Sequence, residues 1–117
     1  MTGYVLYHNP RCSKSRSALE LLQERGIEPQ VVRYLDTPPD AATLRTLVRK
    51  LGIRPRELLR TGEEEYRSLG LAAESVGDDA IIQAMAAHPR LIERPILMRD
   101  ERAVIGRPPE RVLELLD

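Results

Sequence analysis

The stretch from Tyr4 to Leu22, YVLYHNPRCSKSRSALELL, combines a strand signal, a turn signal and a helix signal. Tyr4 to Tyr7 is a short apolar run of the kind that forms a buried strand, and Pro10 ends it. From Ser13 to Arg25, apolar residues recur at the spacing of an amphipathic helix. The sequence therefore predicts a strand, a loop and a helix, and the loop carries Cys12, the only cysteine of the chain.

The rest of the chain adds strand and helix signals in a definite order. Residues 30–35 are predicted to form a second strand, so the first three elements make a βαβ unit with parallel strands. A helical segment follows, and then two short strands at 96–98 and 103–105 form a hairpin before a final helix. This order resembles the thioredoxin fold. We therefore predict one α/β domain over residues 1–117, with a helical insertion at about 39–92.

Residues that typically begin or end helices predict the helices of the insertion. Asp40 is expected to cap a helix that ends before Gly52, and Pro55 to begin a short one. Asp78 or Asp79 is expected to cap another helix. Between them, the charged run of residues 63–65, which is Glu-Glu-Glu, is interpreted as a solvated face.

Composition limits the classes of protein to which the chain can belong. Its 117 residues suit one domain, and 42% hydrophobic residues without Trp or Phe predict an aliphatic core. Acidic and basic residues balance at 18 each, so no overall field attracts nucleic acid or an anionic membrane. One cysteine excludes an internal disulfide, and two histidines are too few for a usual zinc site. We expect a soluble, cytoplasmic protein with no bound metal and no nucleic-acid or membrane partner.

Cys12 is a candidate nucleophile because of its position and its neighbours. A thiol reacts as its thiolate, and the amino end of a helix stabilises negative charge. Arg11, Lys14 and Arg16 act in the same direction. A lone cysteine is most often a small buried hydrophobe, but these polar neighbours suit an exposed loop better than a core.

Two further residues near Cys12 are catalytic candidates. His8 can favour the thiolate electrostatically, although a histidine at a strand end is also a common structural hydrogen-bonding group. Ser15 can donate its hydroxyl to the sulfur, or it can satisfy the backbone of the first helical turn. Both alternatives remain open for each residue.

Several motifs resemble, in their order and spacing, those of the glutaredoxin-coupled arsenate reductases. They are His8-Asn9-Pro10-Arg11-Cys12 followed by Ser15 and Arg16, Tyr34-Leu35-Asp36-Thr37-Pro38-Pro39, Leu58-Leu59-Arg60, His88-Pro89, Glu93-Arg94-Pro95-Ile96 and Gly106-Arg107-Pro108. The resemblance covers nearly the whole chain. It implies that Cys12 is the active cysteine and that Arg60, Arg94 and Arg107 hold the oxyanion. The resemblance to the thioredoxin fold also implies a cis proline, Pro95, before the third strand.

The reaction that the resemblance implies agrees with the chemistry of these residue types. Arsenate is a tetrahedral oxyanion, and arginine offers a planar fork of donors that suits such oxygens. A thiolate at Cys12 would attack arsenic to give a thiol-arsenate adduct on the way to arsenite. The run Cys12-Ser13-Lys14-Ser15 departs from the Cys-x-x-Cys pattern, so the chain has no second cysteine to resolve that adduct. The resemblance therefore implies no bound cofactor, glutathione as co-substrate and glutaredoxin as partner.

Two other functions remain open at this point. One is a glutathione-dependent thiol oxidoreductase with another substrate, since three arginines can bind different oxyanions of phosphate size in the same way. The other is a non-enzymatic regulator of the same fold that binds RNA polymerase. Such regulators typically carry a Cys-x-x-Cys switch, and Ser15 stands where the second cysteine would be.

Overall fold

This computed structural model describes residues 3–116 and contains a mixed β-sheet. Its strands are β1 (Tyr4–His8), β2 (Gln30–Arg33), β3 (Ile96–Arg99) and β4 (Arg102–Ile105), in the spatial order β2-β1-β3-β4. β1 pairs parallel with β2 and antiparallel with β3, and β3 pairs antiparallel with β4. The predicted βαβ unit and the predicted hairpin are both confirmed.

The contacts of the chain divide into two compact units. Unit 1 contains the described residues up to Thr37 and from Arg94 onward, and unit 2 is Pro38–Glu93. The helical insertion is predicted at about 39–92, a range close to that of unit 2. That the whole chain is one domain stays a prediction.

Two helices belong to unit 1. α1 (Ser13–Glu24) joins β1 to β2, and a 3₁₀ helix (Pro109–Leu115) follows β4. The final helix therefore lies where the sequence predicts it, but its form is 3₁₀. Both helices pack against the sheet in one apolar cluster of buried residues: Tyr4, Leu6, Ala18, Leu22, Leu97, Val104, Val112 and Leu115. Apart from Tyr4, this core is aliphatic, as the composition predicts.

Unit 2 is helical. It contains α2 (Ala41–Leu51), α3 (Glu64–Ser68) and α4 (Asp78–Ala87), with 3₁₀ helices at Pro55–Leu58 and Pro89–Leu91. Within the part of the chain that the structure describes, no helix is long and apolar enough to cross a membrane.

The ends of α2 follow the predicted capping chemistry, whereas the start of α4 does not. Asp40 caps α2 by accepting a hydrogen bond of 2.8 Å from the Thr43 backbone N–H, and Gly52 ends the helix in the left-handed conformation at φ 70°. The prediction that Asp78 or Asp79 caps α4 is wrong, because Gly77 is the N-cap. Both carboxylates lie in the first turn instead, where the positive end of the helix dipole stabilises them.

Candidate active site

Cys12 is the N-cap residue of α1, immediately after the loop that leaves β1. Its backbone is extended, with φ −96° and ψ 124°, and its side chain makes no capping hydrogen bond. The thiol is free and partly exposed. Cys12 therefore lies beside the first backbone N–H groups of the helix, which carry partial positive charge.

Hydrogen bonds fix the loop that presents Cys12. The Cys12 N–H donates to the Asn9 carbonyl at 3.0 Å, and the Arg11 N–H donates to the Asn9 side-chain oxygen at 3.0 Å. Nη1 of Arg16 donates to the Pro10 carbonyl at 2.9 Å. Asn9 therefore shapes the turn, and the hydrogen bond from the Arg16 guanidinium to Pro10 stabilises the loop. The cysteine is carried by a backbone with a defined conformation.

His8 and Ser15 are joined directly behind this loop. Nδ1 of His8 lies 2.7 Å from Oγ of Ser15, and the Asn9 N–H donates to the same oxygen at 3.0 Å. Ser15 is fully buried and His8 is 6% exposed. Among the described residues, neither side chain hydrogen-bonds to the sulfur of Cys12. The contact ties the end of β1 to the first turn of α1.

The environment of His8 determines its charge. Burial, and next the positive charges of Arg33 and Arg16, lower the pKa of His8 below its usual 6.5. The ring is therefore neutral at pH 7. A neutral ring brings no positive charge to a thiolate, so the described interaction of His8 is its hydrogen bond to Ser15.

Arg94 and Arg107 lie on two segments of unit 1 that pack against each other. Nη1 of Arg107 donates to the Arg94 carbonyl at 3.4 Å, and the Gly106 N–H donates to the Pro95 carbonyl at 2.9 Å. A Cβ atom at Gly106 would lie 3.0 Å from Cγ of Pro95 and 3.0 Å from Cγ1 of Val112, so a larger residue there would have to displace these side chains by a few tenths of an ångström. The peptide bond between Arg94 and Pro95 is cis, as the resemblance implies. Nε and Nη1 of Arg94 are excluded from solvent.

Arg60 lies in unit 2, within a cluster of four charged side chains. Its Nη1 donates to Oε2 of Glu63 at 2.8 Å, and its Nε lies 3.6 Å from Oε1 of Glu93. Nη2 of Arg90 lies 3.1 Å from Oε1 of Glu63. The side chain of Glu63 is only 15% exposed, so the interpretation of this residue as part of a solvated face is wrong. The sequence signal for this ion pair is the spacing of three residues between Arg60 and Glu63.

A cleft opens beside the cysteine loop, and the sequence did not reveal it. The parallel register pairs His8 with Arg33, so the residues that follow β2 lie beside those that follow β1. The cleft has a volume of about 190 Å³. We call it the β2 cleft, and it is lined by His8, Asn9, Pro10, Arg11, Arg33, Leu35 and Asp36.

The described residues contain no group of three or more His, Cys, Asp or Glu side chains that could hold a metal ion. The arrangement of unit 1 instead offers a partly exposed thiol, a fixed loop and nearby guanidinium groups. These are parts for nucleophilic chemistry on an anionic substrate.

The family model described as the ArsC family matches residues 7–115. The chain belongs to the ArsC family. Its resemblance to the arsenate reductases, inferred from short motifs, is thereby confirmed at the level of the family, and so is the thioredoxin-like α/β fold.

ArsC-family relatives match over almost the full length of the chain. The uncharacterized protein YfgD of Escherichia coli K12 is 56% identical over 118 residues, which cover 99% of each chain. An arsenate reductase of Neisseria meningitidis serogroup A is 47% identical over 117 residues, covering 99% of this chain and 100% of the relative. The structure of an arsenate reductase from Vibrio cholerae superposes with a TM-score of 0.95 at 50% identity, covering 97% of both chains.

Proposed function

We propose that this ArsC-family protein is an arsenate reductase that uses Cys12 as its nucleophile, with glutathione and glutaredoxin as electron donors. Relatives named arsenate reductase at 47% and 50% identity support the reaction. The observation that carries the proposal is the position of Cys12. It is a free, partly exposed thiol at the start of α1, on a loop fixed by hydrogen bonds.

In the first step, the Cys12 thiolate attacks the arsenic atom of arsenate. A sulfur–arsenic bond forms and one arsenic–oxygen bond breaks, and the departing oxygen takes up two protons and leaves as water. Arsenic remains As(V) in this thiol-arsenate adduct. As the N-cap residue of α1, Cys12 attacks from beside the free backbone N–H groups of the first turn.

In the second step, a glutathione thiolate attacks the sulfur of Cys12. A disulfide bond forms and the sulfur–arsenic bond breaks, leaving its electron pair on arsenic as As(III) in arsenite. The two sulfur atoms together lose the two electrons that arsenic gains. Because Cys12 is the only cysteine of the chain, a second external thiol, that of glutaredoxin, must then release Cys12 from the mixed disulfide.

Arg60, Arg94 and Arg107 are proposed to hold the oxyanion. Arg94 and Arg107 belong to the same unit as Cys12, on segments that pack together around Pro95. Arg60 belongs to unit 2, and its Nη1 and Nε face carboxylates. No hydrogen bond from its Nη2 to any residue between 3 and 116 is present, which leaves two donors for a ligand oxygen. Arginine donors to an anion are charge-assisted and therefore strong.

His8 and Ser15 are proposed to act on the geometry of the nucleophile. Ser15 accepts a hydrogen bond from the Asn9 backbone N–H and contacts the buried His8 ring, so the pair holds the loop against the first turn of α1. A shift of the loop would displace the attacking sulfur. Small displacements of a nucleophile cost large factors in rate.

The test is NADPH consumption coupled through glutathione reductase, glutathione and glutaredoxin, with and without arsenate. We expect an arsenate-dependent rate that Cys12→Ser abolishes while the protein stays folded by circular dichroism. Arg94→Gln should raise the KM for arsenate roughly 10- to 100-fold, because it removes charge-assisted hydrogen bonds. Arg49→Gln changes an exposed arginine of α2 and serves as the matched control. A folded protein without any arsenate-dependent rate would overturn the proposal.

A further inference from the structure

The β2 cleft has a charge pattern that matches the end of an amino acid. Arg11 and Arg33 supply two guanidinium groups, and Asp36 supplies one carboxylate. A free α-amino acid end carries one carboxylate and one ammonium group. Guanidinium groups bind carboxylates in a bidentate manner, and a carboxylate accepts hydrogen bonds from ammonium.

The two arginines are available for a ligand. Of the residues that the structure describes, none pairs with the guanidinium of Arg11. Arg33 pairs with Asp36 at 3.3 Å, but both side chains are more than 60% exposed. Such exposed pairs contribute little energy, so a ligand can take their place at small cost.

The size and walls of the cleft favour a small molecule. A volume of about 190 Å³ holds one amino-acid unit, while the remainder of a longer ligand stays outside. Leu35, which is 38% exposed, and Pro10 supply apolar contact area along the cleft. The cleft therefore suits the end of a small peptide.

Its location connects the cleft to the nucleophile. The cleft is lined by the four residues from His8 to Arg11, and Cys12 is the next residue along the chain. A thiol that resolves the adduct must bring its sulfur to Cys12. A ligand anchored on Arg11 is bound by the residue that directly precedes Cys12 in the chain.

We propose that the β2 cleft binds the zwitterionic α-amino acid end of the small thiol that resolves the Cys12 adduct, which for glutathione is its γ-glutamyl end. Arg11 and Arg33 hold the carboxylate and Asp36 holds the ammonium group. This inference rests on the proposed function for its role in turnover, but the binding itself does not depend on arsenate.

The experiment is an NMR titration of Cys12→Ser protein with S-methylglutathione, which cannot exchange thiols. Amide shifts are expected at Asn9, Arg11, Arg33 and Asp36. Adding Arg11→Ala should raise the Kd about 5- to 20-fold, the effect of losing one exposed charge-assisted contact. Arg25→Ala removes another exposed arginine, at the far end of α1, and should leave the Kd within about twofold. Arg33→Ala is the second variant, should Arg11→Ala disturb the loop.

Variation of the thiol itself provides a second, independent test of the proposed contacts. In turnover with arsenate, γ-glutamylcysteine should replace glutathione with a similar KM, whereas N-acetylcysteinylglycine, which lacks the γ-glutamyl end, should require a KM at least about 5-fold higher. Asp36→Asn should reduce this discrimination.

The outcomes separate this inference from the proposed function. Shifts confined to the cleft in a protein that fails to reduce arsenate would leave the inference standing and remove the proposed function. Arsenate reduction in which Arg11→Ala and Arg33→Ala keep the wild-type KM for glutathione would overturn the inference alone. Absence of shifts at S-methylglutathione concentrations up to the KM for glutathione would also overturn it.

Discussion

The hydrogen bond between His8 and Ser15 is buried, and its strength depends on the charge of the ring. Both tautomers of the neutral ring can make it, since the Ser15 hydroxyl can donate to Nδ1 or accept from it. Protonation adds a positive charge to a site that burial and two arginines already make unfavourable for one. The sequence identified both residues as candidates. It could not show that they contact each other, because the contact requires the first turn of α1 to fold back on β1.

The stability of the protein should therefore fall as the pH drops below about 6.5. In the unfolded chain His8 takes up a proton near its ordinary pKa of about 6.5, whereas the lowered pKa keeps it neutral in the folded protein over the same range. The unfolded state then binds more protons, so acidification favours it, with a slope of at most about 1.4 kcal/mol per pH unit from one group. Urea unfolding between pH 7.5 and about 5 measures this slope.

Two variants separate the contribution of His8 from that of other groups. His8→Asn removes the titrating ring and should flatten the slope, while His88→Asn removes the other histidine and should leave it in place. Equal slopes in the wild-type protein and His8→Asn would mean that His8 is not the titrating group.

At the scale of elements, the short helices of unit 2 are ordered by charged contacts as well as by packing. Glu63 is the N-cap residue of α3, and it joins Arg60 to Arg90, which lies in the 3₁₀ helix Pro89–Leu91. The 3₁₀ helix Pro55–Leu58 and the segment after Leu91 are linked by an isolated antiparallel bridge between Leu59 and Ile92. The acidic run was visible in the sequence. Which of its carboxylates turns inward depends on Arg90, 27 residues away, and no local pattern reveals that.

Removing the Glu63 carboxylate should destabilise unit 2 and misplace Arg60. Glu63→Ala loses the 2.8 Å contact and leaves Arg60 with Glu93 at 3.6 Å, so we expect a loss of about 1–2 kcal/mol in urea unfolding. If Arg60 contacts arsenate as proposed, the KM for arsenate should rise roughly 3- to 10-fold with a smaller change in kcat.

The neighbouring residue provides the control for this prediction. Glu64 is exposed and pairs with Arg67 on the same helix, so Glu64→Ala should cost less than about 0.5 kcal/mol and leave the KM unchanged. Glu63→Gln keeps an acceptor for Arg60 and should restore most of the wild-type KM. A normal KM in Glu63→Ala would show that Glu63 does not position Arg60.

At the scale of the whole molecule, the order of elements carried most of the fold information. The four strands of the sheet follow from apolar periodicity and from Pro and Gly positions, which act locally. The β2 cleft does not follow from these local patterns, because it depends on the strand register that pairs His8 with Arg33. The sequence also gives the count of cysteines, and under the proposed function this single cysteine requires a resolving thiol from outside the chain.

A protein with one cysteine should accumulate a mixed disulfide when its cycle is interrupted. Incubation with arsenate and glutathione, in the absence of oxygen and of glutaredoxin, should add one glutathionyl group to Cys12, because no internal thiol can displace it. Intact-protein mass spectrometry detects the adduct, and peptide mapping assigns it. Omitting arsenate should prevent it, Cys12→Ser should not form it, and adding glutaredoxin should remove it and allow further arsenite to be produced. Turnover that proceeds through a disulfide between two copies of the chain would contradict this cycle, since it would place the resolving thiol on another Cys12.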